Sequence, residues 1–115
     1  MTLDLSDRTT NDVTIVDLDG KMNTSTSPDA DAYLSQLIAG GSNKLLLNMM
    51  GVDYISSSGL RVVLATGKKL GGTGGKLAFC GLNPSVGEVF RVSGFNSIFP
   101  VFDSEEEALN SFQTE

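Results

Sequence analysis

Three consecutive serines, Ser56, Ser57 and Ser58, stand between an apolar run and an amphipathic helical pattern. A serine just before a helix accepts hydrogen bonds from the free backbone amides of the first turn, so the triplet predicts an N-cap. The same place also tolerates a phosphate, because the N-terminus of a helix carries a partial positive charge. The triplet therefore indicates either a cap or a site of regulatory phosphorylation.

The residues that follow the triplet favour a role in binding. At about 100° per residue, Ser57, Arg61 and Lys68 lie within about 40° of one another on the predicted helix, so a phosphate on Ser57 has a cation one turn away. Val62 and Ala65 are expected to point away from the buried stripe of this helix and to offer a partner a small apolar patch. The alternative is that they are simply exposed side chains, which are common.

Composition excludes several other kinds of chemistry. The chain has no histidine, which excludes Ser-His-Asp and Cys-His catalysis and histidine metal sites. Its single cysteine, Cys80, has apolar neighbours and is expected to be a small buried hydrophobic residue. A net charge of −6 repels nucleic acids and anionic membrane surfaces. We expect no metal, no cofactor, no nucleic-acid partner and no direct membrane insertion.

A glycine-rich stretch from Gly71 to Gly75 suggests a phosphate-binding loop, but its spacing is wrong. A P-loop needs a glycine where Leu70 stands and a serine or threonine where Leu77 stands. A P-loop also follows a strand and precedes a helix, whereas in this sequence the predicted helix precedes the glycine-rich stretch. The stretch is therefore predicted to be a flexible helix-to-strand connection, and a nucleotide hydrolase is the weakest functional hypothesis.

Hydrophobic periodicity predicts one α/β domain over residues 1–115, with about five strands in a mixed sheet and about four helices packed on it. Two antiparallel strands joined by a polar turn at 8–12 are followed by alternating helices and strands. Predicted strands cover 2–6, 13–18, 44–50, 76–80 and 98–102; helices begin after caps at Ser27, the serine triplet, Asn83 and Ser104. The 44–50 strand is expected to be covered on both faces. Because residues 1–7 show no leader pattern and no apolar run could span a bilayer, the protein is expected to be cytoplasmic.

A succession of short motifs resembles the STAS domain, and specifically an anti-sigma factor antagonist. No single motif is specific, but their order covers nearly the full chain. The matching stretches are Leu18-Asp19-Gly20, Leu45-Leu46-Leu47-Asn48 leading to Ile55-Ser56-Ser57-Ser58-Gly59-Leu60, Gly74-Gly75-Lys76-Leu77, Asn83-Pro84-Ser85-Val86, and Phe90 through Ser93-Gly94-Phe95 to Ile98-Phe99.

The resemblance implies a mechanism of partner switching. In similar proteins the turn reads Asp-Ser-Ser/Thr/Ala-Gly-Leu, and a serine kinase that is also the anti-sigma factor phosphorylates the serine after the aspartate. By position this implies that Ser57 is the phosphoacceptor and that Ser58 is the weaker candidate. The unphosphorylated protein is then expected to bind the anti-sigma factor and free sigma. Phosphorylation breaks that complex, and a PP2C-type phosphatase is an expected further partner.

Two positions depart from the family pattern. Ser56 stands where the family has aspartate, and Asn23 stands where an acidic residue is often found, so both changes remove negative charge near the site. Our hypothesis is that Ser56 keeps the capping role and Ser57 the regulatory role. The residues expected to contact a partner are Asn23, Thr24, Ser56, Ser57, Ser58, Arg61, Val62 and Ala65.

An alternative within the same fold stays open at this stage. STAS domains also occur as subunits that are not phosphorylated, for example in lipid-transport ABC complexes. In that case Ser57 is only an N-cap.

Overall fold

The computed structural model of the chain describes residues 3–113. Within that range it contains five strands and four helices, together with one short 3-10 helix. In chain order the elements are β1 (Leu3–Thr10), β2 (Val13–Met22), α1 (Ser27–Ala39), β3 (Lys44–Ile55), α2 (Ser57–Gly72), β4 (Lys76–Cys80), α3 (Pro84–Val92), the 3-10 helix (Phe95–Ser97), β5 (Val101–Phe102) and α4 (Glu105–Gln113).

The strands form one sheet in the order β1-β2-β3-β4-β5. β1 pairs antiparallel with β2, and every other pairing is parallel. The larger part of the core lies between the sheet and α1, α2 and α3, while α4 covers a smaller cluster on the opposite face. The predicted fold class, a mixed sheet with helices packed on it, is confirmed.

β3 is the central strand and extends further than predicted. Leu45, Leu46 and Leu47 are fully buried, so its first half is covered on both faces as expected. The strand then continues to Ile55 instead of ending near Met50, because β2 also continues past Gly20 and pairs with it through shifts in register. As a result β2 and β3 end side by side, and α2 begins directly after them.

The turn between β1 and β2 is shorter than the predicted polar turn at 8–12. Strand pairing runs through Thr10 and resumes at Val13, which leaves Asn11 and Asp12 as a two-residue turn. Both have positive φ angles, 52° and 69°. Two-residue hairpin turns require such angles, because their backbone then matches the right-handed twist of the strands. The short polar side chains of Asn and Asp tolerate this backbone conformation.

The predicted strand at 98–102 is reduced to the edge pair Val101–Phe102. The preceding chain forms the 3-10 helix because Phe95 and Phe99 must reach the core, where both are 8% exposed. Phe99 packs edge-to-face on Phe79 at 5.6 Å between ring centroids, a favourable aromatic arrangement. Packing of these rings therefore overrides the local strand pattern.

Helix starts follow the predicted signals with one correction. Asn83 caps α3 by accepting a hydrogen bond from the Val86 amide at 2.8 Å, and Ser104 accepts one from Glu107 at 3.2 Å at the start of α4. The cap of α1 is Thr26, not Ser27, and its side chain does not bond to the helix. Ser27 lies inside the first turn, and its hydroxyl donates to the Asn23 carbonyl at 2.6 Å.

Gly71 lies inside α2, which extends to Gly72, and not in the predicted flexible connection. A Cβ built on Gly71 has no neighbouring atom within 4 Å. Alanine restricts the unfolded chain more than glycine does, so Gly71→Ala is expected to stabilise the protein by about 0.5–1 kcal/mol. Urea unfolding followed by circular dichroism should show a higher midpoint, and an equal or lower midpoint would contradict this prediction.

Candidate functional site

The serine triplet lies at the carboxyl ends of the parallel strands, where α2 starts without a connecting loop after β3. The backbone amide of Ser56 donates to the carbonyl of Met22, the last residue of β2, at 2.8 Å. This bond fixes the start of α2 against the end of β2. The loop that follows Met22 and the N-terminus of α2 therefore form one continuous surface.

Ser56 is the N-cap of α2. Its backbone is extended, its Oγ accepts from the Gly59 amide at 3.4 Å, and its carbonyl accepts from the Leu60 amide at 3.0 Å. These are the interactions expected of a serine that satisfies the free groups of a first turn. The capping role is thus filled by Ser56 alone.

Ser57 and Ser58 differ in their surroundings. Ser57 is exposed, and its hydroxyl makes no hydrogen bond with any residue from 3 to 113. Ser58 is half-buried, and its Oγ lies 3.3 Å from the Oγ1 of Thr24 in the β2–α1 loop. Ser57 therefore presents an accessible hydroxyl, whereas Ser58 ties α2 to the loop.

The charge around Ser57 suits an added anion. The first turn of α2 contains no acidic residue. Arg61, one turn later, is exposed and forms no ion pair within the described part of the chain. A phosphate at Ser57 would meet the partial positive charge of the helix N-terminus and a nearby guanidinium group.

The β2–α1 loop is held in shape by Asn23. Its Oδ1 accepts hydrogen bonds from the amides of Ser25 at 2.9 Å and Thr26 at 3.1 Å. The Oγ1 of Thr26 in turn donates to the Lys21 carbonyl at 2.6 Å and accepts from the Asn23 amide at 2.9 Å. Asn23 thus fixes its own loop, as Asn and Asp side chains commonly do in turns. Thr24 is left exposed next to the serines.

The predicted apolar patch of Val62 and Ala65 is corrected by the structure. Val62 is 8% exposed and belongs to the main core, and Ala65 is half-buried. Leu60 and Leu64 on the same helix are half-buried. The reason is that α1 packs alongside α2, so α2 is covered on two sides and not only by the sheet. Val62 therefore does not belong to an accessible surface.

Gly59 is a structural requirement of the site that the sequence reasoning missed. A Cβ at Gly59 would lie 2.8 Å from Cγ1 of Ile55, closer than Cβ contacts in proteins, and a tight 3.0 Å from Cβ of Met22. Its missing side chain lets the first turn of α2 lie against the strand ends. The available signal was a glycine in the third position of a predicted helix, where it lowers helix propensity.

The described residues place no general base beside the Ser57 hydroxyl. No histidine is present in the sequence, and no ionisable side chain within the described range bonds to the Ser57 hydroxyl. Cys80 lies elsewhere, 1% exposed on β4, and burial raises the pKa of its thiol to about 11. Across residues 3–113 no group of three or more acidic or cysteine side chains could hold a metal ion. None of the helices in this range is long and apolar enough to cross a bilayer.

Comparison with known proteins places this geometry in a family. The STAS domain family matches residues 4–108. The anti-sigma factor antagonist BtrV of Bordetella bronchiseptica is 43% identical over 97 residues, which cover 84% of this chain and 84% of that protein. The crystal structure of an anti-sigma factor antagonist from Thermotoga maritima superposes with a TM-score of 0.90 at 22% identity, over 93% of this chain and 92% of that one.

A further neighbour is the Bacillus cell fate determinant SpoIIAA, solved in two states. Its phosphorylated form matches with a TM-score of 0.74 at 22% identity, covering 96% of this chain and 98% of that one. Its unphosphorylated form matches with a TM-score of 0.72 at 21% identity, covering 96% and 97%. The fold, the extent of the family match and the identity to BtrV lead to one conclusion. The chain belongs to the STAS domain family and, within it, to the anti-sigma factor antagonists.

Proposed function

We propose that this protein acts by partner switching: the unphosphorylated chain binds an anti-sigma factor, and phosphorylation of Ser57 breaks that complex. The observation that carries the proposal is the division of roles among the three serines. Ser56 is used as the cap, Ser58 lies next to Thr24, and the exposed hydroxyl of Ser57 has no partner among the described residues. Only Ser57 combines access for a kinase with no structural duty.

The proposed docking surface surrounds that hydroxyl. It combines the β2–α1 loop with the first half of α2. The two segments are joined by the hydrogen bond from the Ser56 amide to the Met22 carbonyl and by the contact between Thr24 and Ser58. Of the residues predicted to contact a partner, Val62 is excluded by burial. The surface retains Asn23, Thr24, Ser56, Ser57, Ser58, Arg61 and Ala65.

A phosphate at the centre of this surface would weaken docking without unfolding the domain. It adds about −1.5 to −2 charge, and at a packed interface it brings repulsion and a desolvation cost. The free domain can hold the phosphate through the α2 N-terminus and Arg61. The similar TM-scores to the phosphorylated and unphosphorylated forms of SpoIIAA, 0.74 and 0.72, support a fold that accommodates both states.

The proposed partners are an anti-sigma factor that is also a serine kinase and a PP2C-type phosphatase that restores the hydroxyl. The protein itself is a regulatory binding module and not an enzyme. The alternative, a STAS subunit that is not phosphorylated, assigns Ser57 only a capping role. The observed cap is Ser56, so no specific observation favours that alternative.

Phosphosite mapping tests the proposal. After incubation with the cognate anti-sigma kinase and ATP, mass spectrometry should find a single phosphate on Ser57. Ser57→Ala should abolish incorporation, whereas Ser58→Ala, which removes the hydroxyl next to Thr24, should leave it within about twofold of wild type. Phosphate on Ser58, or no phosphate at all, would contradict the assignment.

A further inference from the structure

An apolar groove lies beside the C-terminal half of α2, away from the serine triplet. Its volume is about 450 Å³. Ser57 and Lys68 lie about 16 Å apart along the helix axis at about 1.5 Å per residue. None of the residues that line the groove is among those of the proposed docking surface. The lining of the groove is formed mostly by apolar residues and glycines, among them Gly67, Gly71, Leu77, Ile98 and Phe99.

The groove stays open because α2 carries glycines on this side. A Cβ on Gly67 would lie 2.5 Å from the Phe99 ring, so glycine lets Phe99 pack against the helix. One turn later, Gly71 faces open space. Leu77 and Phe99 are nearly fully buried, while Ile98 is 56% exposed. The groove therefore reaches from solvent to the apolar core.

The charge of the groove is opposite to that of the whole protein. The chain carries 14 acidic against 8 basic residues, yet the ionisable residues among the described residues that line the groove are two lysines. The ammonium of Lys76 lies 5.0 Å from the centroid of the Phe112 ring of α4. Lys68 is exposed and forms no ion pair within residues 3–113. Within the described residues, a lysine without an acidic partner thus lies beside an apolar cavity.

We propose that this groove binds a small amphiphile with an apolar chain and one carboxylate, of the class of medium-chain fatty acids. The chain would lie against Leu77 and Phe99, and the carboxylate would pair with Lys68. The volume falls within the roughly 300–1,000 Å³ of small-ligand sites. An extended peptide would need a sheet edge for backbone pairing, and the neighbouring edge strand β5 is only 2 residues long.

Titration of the full chain with decanoate below its micelle concentration tests this proposal. Two-dimensional ¹H–¹⁵N NMR should show saturable shifts at the amides that line the groove. Lys68→Met should weaken binding on the order of fivefold, the loss of one exposed ion pair. Gly71→Leu, whose side chain enters open space in the groove, should abolish binding while thermal melting shows a folded protein.

The control is Lys69→Met, which removes the same charge from the next residue of α2. Lys69 donates to Ser35 of α1 at 2.6 Å and lies outside the groove, so its loss should leave decanoate affinity unchanged. Ser57→Asp should also bind decanoate as the wild type does, because decanoate binding in the groove does not depend on the charge at Ser57. The proposal would be overturned if decanoate caused no shifts at the groove amides, or if both lysine variants weakened decanoate binding equally. It would also be overturned if the protein bound an acidic apolar peptide but not decanoate.

Discussion

Ser57→Asp is expected to reduce affinity for the anti-sigma factor about 100-fold, or about 2.7 kcal/mol. The substitution places a fixed negative charge at the centre of the proposed docking surface, where like-charge contact and desolvation cost several kcal/mol. The substitution also places an acidic residue in the first turn of α2, which has none. The free domain should therefore be as stable as wild type or more stable by about 0.3–1 kcal/mol. Isothermal titration measures the first effect and urea unfolding the second.

Two controls make this result specific. Ser57→Ala removes the hydroxyl without adding charge and should bind within about threefold of wild type, a change of less than 1 kcal/mol. Ser97→Asp adds the same charge at an exposed serine of the 3-10 helix, outside the proposed docking surface, and should bind the anti-sigma factor as the wild type does. Equal loss of affinity in Ser57→Asp and Ser97→Asp would show a general charge effect and not a switch at Ser57.

Gly59→Ala is expected to destabilise the protein by about 2 kcal/mol, although alanine is the better helix former. The new methyl group would lie 2.8 Å from Ile55 and 3.2 Å from the Met22 carbonyl oxygen, so the start of α2 must move away from the strand ends. Affinity for the anti-sigma factor should fall as well, because this turn carries Ser57. Urea unfolding and isothermal titration of the same variant measure the two effects.

Gly71→Ala is the matched control for this prediction. Both glycines lie in α2, but only Gly59 is crowded by neighbouring atoms. Because of this difference in packing, we expect Gly59→Ala to lower the free energy of unfolding and Gly71→Ala to raise it. If both substitutions stabilised the protein, helix propensity would outweigh the contact and the tight start of α2 would not be required.

Local patterns predicted the elements of the fold because apolar spacing and capping residues act over a few positions. The β-branched run from Val13, the apolar run from Leu45 and the Asn83 cap each carry their own signal. The errors arose where distant segments decide the outcome. β2 and β3 extend each other through pairing, and Phe99 leaves the strand pattern to reach the core.

The candidate site was predicted in part for the same reason. The triplet predicted a helix start, but the contact between Thr24 and Ser58 joins segments 34 residues apart and has no local signal. Burial of Val62 depends on α1 packing beside α2, which a single amphipathic stripe does not reveal. The assignment of Ser57 and not Ser58 as acceptor was implied by family resemblance, and the different surroundings of the two hydroxyls support it.

The most direct test compares two forms of the wild-type chain in their binding to the anti-sigma factor. Protein phosphorylated to completion, with phosphate on Ser57 verified by mass spectrometry, is titrated calorimetrically beside the unmodified protein. We predict tight binding for the unmodified form and a loss of at least about 100-fold for the phosphorylated form. Equal affinity of the two forms would contradict the claim that charge on this one hydroxyl controls the complex.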